Sequence, residues 1–207
     1  MPDPVDAQCA VSIASLPKTF RRSPEAFPRR AYLRADPNQA ALWRSRFHDA
    51  GGRTSIGLAW RGGTLPTRGH LRSIVPAEFR AFSGIDPVRF VSLQYGDAAA
   101  DLDVLREAGL QIDRWPEIET DLEACAAAID ALDLVISIDN TVAHLAGALG
   151  KQVWILLIAG AEWRYGFPGE SMPWYPCARL FRQREGEGWS PVLDAVAREL
   201  RALRGNP

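Results

Sequence analysis

From Ser55 onward the chain carries short, nearly uninterrupted apolar runs: "SIGLAW" (55–60), "RFVSLQ" (89–94), "LQID" (110–113), "LVISID" (134–139), "VWILL" (153–157) and "RLFRQ" (179–183). Between them lie stretches with helical spacing, at 76–82, 97–108, 121–132, 141–149 and 191–203. The runs do not alternate with polar residues, which predicts strands covered on both faces. Strands alternating with helices predict right-handed βαβ units and a mostly parallel sheet. The expected fold is therefore α/β, a Rossmann-like, doubly wound sheet of about six strands. Its usual order, 3-2-1-4-5-6, makes the first and fourth strands neighbours at the switch point, where ligands bind beyond the carboxyl ends. The loops after Trp60 and after Ile138 should then face one crevice.

Residues 1–54 read differently. They are rich in arginine and proline (Pro17, Pro24, Pro28, Pro37), with one helix expected at 38–49 after the start signal Asp36-Pro37. "VSIASLP" is expected as a short strand or a buried tail. The expected division is an arm or linker at 1–54 and the Rossmann-like domain at 55–207.

The two switch-point loops are polar. After Ile138, a helix opens at Asp139-Asn140-Thr141, with His144 one turn in. A helix N-terminus has unpaired N–H groups and partial positive charge, so it attracts phosphate. Asn140 or Thr141 can cap the helix or donate to an anion, and His144 leans back toward the crevice mouth. Ala143, Ala146, Gly147, Ala148 and Gly150 are small and should let this helix sit close to the sheet. The loop after Trp60 reads "RGGTLPTRGHLRS". Gly62 and Gly63 permit close backbone approach, and Arg61, Arg68 and Arg72 bring positive charge suited to a diphosphate. Gln94, closing the second run, joins this candidate set. Each feature has a purely structural alternative: a helix cap at Asp139-Asn140-Thr141, a core histidine at His144, a solvated arginine loop.

Composition narrows the field. With 47% hydrophobic and 24% charged residues, the chain suits one sizeable soluble core. A net charge of −1 exerts no global pull toward nucleic acid or an anionic membrane. Cys9, Cys125 and Cys177 show neither metal spacing nor a disulfide framework, so no metal and a reducing cytoplasm are expected. His48, His70 and His144 are equally scattered. There is no signal-peptide pattern, and the longest apolar run, 153–161, is too short to span a bilayer, so direct membrane insertion is not expected. Walker and Gly-x-Ser-x-Gly motifs are absent, and "GLAWRGG" lacks the glycine spacing of a nicotinamide dehydrogenase. "PEIETDLE" gathers Glu117, Glu119, Asp121 and Glu123. Acid–base work is conceivable there, but a solvated loop and helix start is the expected reading. The aromatic stretch from Trp163 to Trp189 is expected to pack over the sheet edge or to stack on a sugar or base.

"LDLVISIDNTVAHLAGALGKQVW" resembles the C-terminal half of GT-B glycosyltransferases, closest to the domains that follow tetratricopeptide repeats in bacterial proteins. It is also similar to lipopolysaccharide heptosyltransferases and, more distantly, to O-linked N-acetylglucosamine transferases. "IGLAWRGG", "LRSIVPAEF", "RFVSLQ" and "WYPCARLFRQ" fit in the same order, and "SLPKTF", "AYLRADP" and "ALWRSRF" look like the join between GT-B halves. The resemblance implies a domain that binds a nucleotide-diphosphate sugar as donor, without metal or other cofactor. It implies that the diphosphate sits on the helix beginning at Asn140 and pairs with Arg72. Asp139 and His144 match the family's aspartate and histidine, and residues 115–121 would lie near the nucleobase.

Three positions depart from the family pattern: Asn140 for Ser or Thr, Ala124-Cys125 for an Asp-Thr pair, and Gln152 for Pro. A GT-B enzyme works in a cleft between two Rossmann-like domains, and about 54 residues before the first strand are too few for the second. A missing N-terminal half or a tetratricopeptide-repeat region is therefore an expected partner, and no catalytic base is assigned within the chain. The alternatives are a non-catalytic scaffold derived from a donor domain, or another Rossmann-like sugar-nucleotide enzyme such as an epimerase. Arg72→Ala is expected to weaken donor binding by about 1.5–3 kcal/mol. Its fold should survive, since an exposed loop arginine supports little core.

Overall fold

A computed structural model of the chain describes residues 10–47, 53–63, 66, 69–166 and 169–203. Cys9, His48 and Arg68, named above, lie outside the described residues.

Six strands form one sheet: β1 (Thr54–Ala59), β2 (Val88–Ser92), β3 (Ile112–Asp113), β4 (Leu134–Ile138), β5 (Val153–Leu157) and β6 (Ala178–Arg182). Their order is β3-β2-β1-β4-β5-β6, and all neighbours run parallel. This is the doubly wound order expected from the alternating runs. Ile56 of β1 sits in register between Phe90 of β2 and Leu134 of β4.

Period-2 alternation sends successive side chains to opposite faces. Ile56, Leu58, Ile136, Ile138, Trp154 and Leu156 enter one core, under a 3-10 segment at Pro76–Phe82 and helices α4 (Ala99–Glu107) and α8 (Ser190–Ala202). Val91, Leu93, Val135, Val153, Ile155 and Leu157 enter the other, under α2 (Pro37–Phe47), α6 (Leu122–Ala131) and α7 (Thr141–Leu149). Two short helices complete the set, α3 (Gly69–Arg72) and α5 (Pro116–Thr120), both in stretches where no helix was expected. With α1 (Leu16–Phe20) in the arm, none of the described helices is long and apolar enough to cross a membrane.

The first residues of the chain are not uniform. Ala40, Trp43 and Phe47 of α2 are buried, and the Trp43 and Phe47 rings stack at 5.5 Å and meet Trp115 edge-on. Fully burying a side chain the size of phenylalanine is worth roughly 1.5–3 kcal/mol, so α2 is part of the domain's core. "VSIASLP" is neither a strand nor a buried tail. It forms a 3-10 turn at Ile13–Ser15 leading into α1, and Val11 and Ile13 are exposed. Further on, the backbone N–H groups of Tyr32 and Leu33 both donate to Ala148 O near the C-terminus of α7, at 3.0 and 3.1 Å.

Candidate functional site

β1 and β4 end side by side, and the loops that follow them meet. Gly62 lets them meet closely: a Cβ there would stand 2.8 Å from Ile138 Cδ1 and 3.0 Å from Asn140 Cβ. The close approach thus brings the first loop onto the end of β4. The carbonyl of Arg61 accepts from Asn140 Nδ2 at 3.2 Å, and Gly62 N–H donates to Ser73 Oγ at 3.4 Å. Gln94 is buried, and its Oε1 accepts from the N–H groups of Trp60 (3.0 Å) and Arg61 (2.8 Å). It braces the first loop against the end of β2.

Asn140 is the N-cap of α7. Its Oδ1 accepts from Val142 N at 2.9 Å, Ala143 N at 3.3 Å and Ser137 Oγ at 2.9 Å. The other end closes with Gly150 in the left-handed region, φ 77°, its N–H directed to Ala146 O and Gly147 O. These two signals frame the helix at the expected residues, 141–149. Of the small residues along it, Gly147 makes room for a neighbouring ring: a Cβ there would lie 2.3 Å from the ring of Tyr175.

Arg72 closes the first loop over the second. Its Nε donates to Asp139 Oδ1 at 2.7 Å, and its Nη2 to the Asp139 carbonyl. The Asp139 and Arg72 side chains are 4% and 13% exposed, so this is a nearly buried ion pair. Arg72 is therefore not the exposed loop arginine expected above. Burial raises the Asp139 carboxyl above its usual range, the hydrogen bond and charge of Arg72 draw it back, and Glu162 raises it further. Arg61 turns away from α7. Its Nε lies 3.0 Å from Asp101 Oδ2 and its Nη2 donates to Asp97 O at 2.6 Å.

His144 sits between two tyrosines. Its Nδ1 is 3.2 Å from Tyr175 Oη and its Nε2 is 3.3 Å from Tyr165 Oη. Burial lowers its pKa, and the charges of Arg164 and Arg72 lower it further against an opposing effect of Glu162. Neither Tyr165 nor Tyr175 belonged to the expected site. The only signal for them was the aromatic-rich stretch after Trp163, which does not indicate which rings turn inward.

Three adjoining hollows run along the carboxyl edge of the sheet. One, about 260 Å³, is mainly apolar and lies between Leu93, Ile118, Cys125 and the first turn of α7 at Thr141 and Val142. The second, about 330 Å³, is lined by Arg61, Gly62, Gly63, His70, Ser73 and Gln94. The third, about 280 Å³, lies between Arg72, Asp139, Gly160 and Glu162. Tyr95 borders the first two, and α3 contributes to the second and third. Residues 118–121 thus reach the crevice, whereas Trp115 packs into the core.

The "PEIETDLE" carboxylates do not form a pair. Glu119 is held by Arg114 through two bonds of 2.7 and 2.8 Å, Glu117 lies 3.4 Å from Arg46, and Asp121 caps α6. Among the described residues, no group of three or more His, Cys, Asp or Glu could hold a metal ion. What the crevice offers is the positive end of the α7 dipole beside the paired Arg72 and Asp139, with a mainly apolar hollow to one side and one bordered by Glu162 to the other.

No protein-family model matches the chain. The chain is 34% identical over 194 residues to Protein FlbA of Caulobacter vibrioides, a match that takes in 88% of this chain and 31% of FlbA. The chain thus spans about a third of the length of that curated relative. Among solved structures it is similar to the ADP-heptose lipopolysaccharide heptosyltransferase II of E. coli, with a TM-score of 0.55 and 20% identity over 90% of this chain and 58% of that one. It is also similar to a family 9 glycosyl transferase of Veillonella parvula, with a TM-score of 0.54 and 16% identity over 86% of this chain and 56% of that one. The six-stranded Rossmann-like fold described here is therefore one that glycosyltransferase structures share, over somewhat more than half of their length.

Proposed function

We propose that the chain is the donor-binding part of a glycosyltransferase and holds a nucleotide-diphosphate sugar in the switch-point crevice. The observation that carries this reading is the row of three hollows along the carboxyl edge of the sheet, the first reaching Thr141 and Val142 in the first turn of α7 and the third bordered by Arg72 and Asp139 just before it. The apolar hollow between Ile118 and Val142 suits a nucleobase. The α7 dipole, the Thr141 hydroxyl and Arg72 suit the diphosphate. The acidic hollow at Asp139 and Glu162 offers acceptors to sugar hydroxyls. Arginine and helix dipole can offset phosphate charge, so transfer would not depend on a divalent metal. The acceptor and the general base would come from an additional region, either a second GT-B half or a tetratricopeptide-repeat region.

Calorimetric titration tests the reading, starting with ADP and ADP-sugars because a structurally similar enzyme is named for ADP-heptose, then with UDP and GDP. Saturable binding of at least one nucleoside diphosphate is expected, and binding of none of them defeats the proposal. A second reading, a scaffold that has lost donor binding, draws on the engagement of Asn140 with Val142 and Ala143 and of Arg72 with Asp139. Glycosyl transfer by the chain, alone or with an added acceptor region, would exclude it.

A further inference from the structure

A chain of four polar side chains runs from the arm into the domain. Tyr32 Oη is 3.2 Å from Tyr175 Oη, Tyr175 Oη is 3.2 Å from His144 Nδ1, and His144 Nε2 is 3.3 Å from Tyr165 Oη. The ring of Tyr32 stacks on that of Tyr175 at 6.4 Å, and that of Tyr175 lies over Gly147. The same stretch of the arm grips the far end of α7, where Tyr32 N and Leu33 N donate to Ala148 O. One helix thus meets the crevice at its first residue and the arm near its last.

We propose that residues 27–35 form a strap whose docking on α7 is coupled through Tyr175 to the charge state of His144. A neutral imidazole has one donor and one acceptor, so the direction of the chain is not fixed. When protonated, both ring nitrogens donate. Tyr175 Oη then accepts from Nδ1–H, and its own proton is directed to Tyr32 Oη. Charge-assisted bonds are shorter and stronger than neutral ones, and contacts of 3.2–3.3 Å leave room to shorten. Arg72, Arg164, Glu162, Tyr165 and Tyr175 are the charged or titratable groups that act on the ring. The two arginines oppose its protonation, and an anion at the start of α7 would offset them. Anion binding and strap docking should therefore reinforce each other, by reciprocal linkage. The anion half of this coupling rests on the donor-site reading above, while the strap half does not.

Amide hydrogen exchange of Tyr32 and Leu33, corrected for intrinsic pH dependence, tests the strap in the unliganded protein while NMR follows the His144 ring. Protection is expected to rise about three- to tenfold as His144 takes up its proton. The rise should vanish in His144→Gln and in Tyr175→Phe, which keeps the ring over Gly147. Protection that is flat across the titration, or a rise that persists in both variants, overturns the proposal. Calorimetry with ADP in buffers of different ionisation heat tests the anion half, and net proton uptake is expected on binding. ADP binding without proton uptake overturns the coupling and leaves the donor site standing. Failure of ADP to bind overturns the anion half together with adenine recognition, and the strap is then decided by exchange alone.

Discussion

Arg72 and Asp139, 67 positions apart in the chain, form a nearly buried pair with Nε 2.7 Å from Oδ1 at the mouth of α7. The pair places a guanidinium beside the positive end of a helix while cancelling the carboxylate that would otherwise repel an anion there. It also ties the loop after β1 to the end of β4, so the crevice and the stability of the domain share one interaction.

Arg72→Ala is therefore expected to destabilise the domain, because it leaves a buried carboxylate without its partner. Breaking one side of such a pair costs about 3–5 kcal/mol. Urea unfolding measures it. The variant Arg72→Met with Asp139→Leu should recover most of the loss, since both charges then leave together. An Arg72→Ala variant with unchanged unfolding free energy would mean that water reaches Asp139.

His144 makes stability depend on pH in a predictable direction. Burial, Arg164 and Arg72 lower its pKa in the folded state. The unfolded chain, with a histidine pKa of about 6.5, then binds more protons below that pH. The contribution is fully present above the unfolded value and is lost as pH falls through the folded one, with a slope of at most about 1.4 kcal/mol per pH unit. Denaturation midpoints collected from neutral pH downward in wild type and His144→Gln isolate it, and the variant should show the shallower dependence.

Much of this architecture is legible from local pattern. The apolar runs specify a doubly wound sheet, and Asn140 and Gly150 delimit α7 because caps act over a few residues. The third run is an exception: only Ile112 and Asp113 pair with β2, at one edge of the sheet. The partners of the candidate site residues are not legible, since they depend on distant segments. Nothing near Arg61 indicates that Asp97 and Asp101 will take its guanidinium, and nothing near His144 indicates Tyr165 and Tyr175. An arginine or histidine in a polar loop reveals its chemistry, but its direction is decided by tertiary packing.

Cys125 should be inert. It lies in the apolar hollow at 6% exposure, and burial, reinforced by Asp121, pushes its thiol up to about 12. The thiolate is the reactive form, so thiol labelling at pH 8, followed residue by residue by mass spectrometry, should leave Cys125 unmodified until the protein is unfolded. A ligand filling the hollow should slow any residual labelling further. Fast modification in the native state would show that the first turn of α6 opens.

Gly147→Ala tests how α7 is held. The added methyl would meet Tyr175 Cδ2 and Cγ at 2.3 Å, a separation that no side-chain rotation of alanine relieves. Either the Tyr175 ring moves or α7 does, and overpacking of this kind costs about 1–3 kcal/mol. Alanine's better helix propensity offsets at most about 1 kcal/mol of that. If the ring moves, its hydroxyl leaves both Tyr32 and His144, so the unfolding free energy should fall and the NMR signals of the His144 ring should shift. A Gly147→Ala variant as stable as wild type, with the His144 signals in place, would mean that Tyr175 is not packed over this glycine.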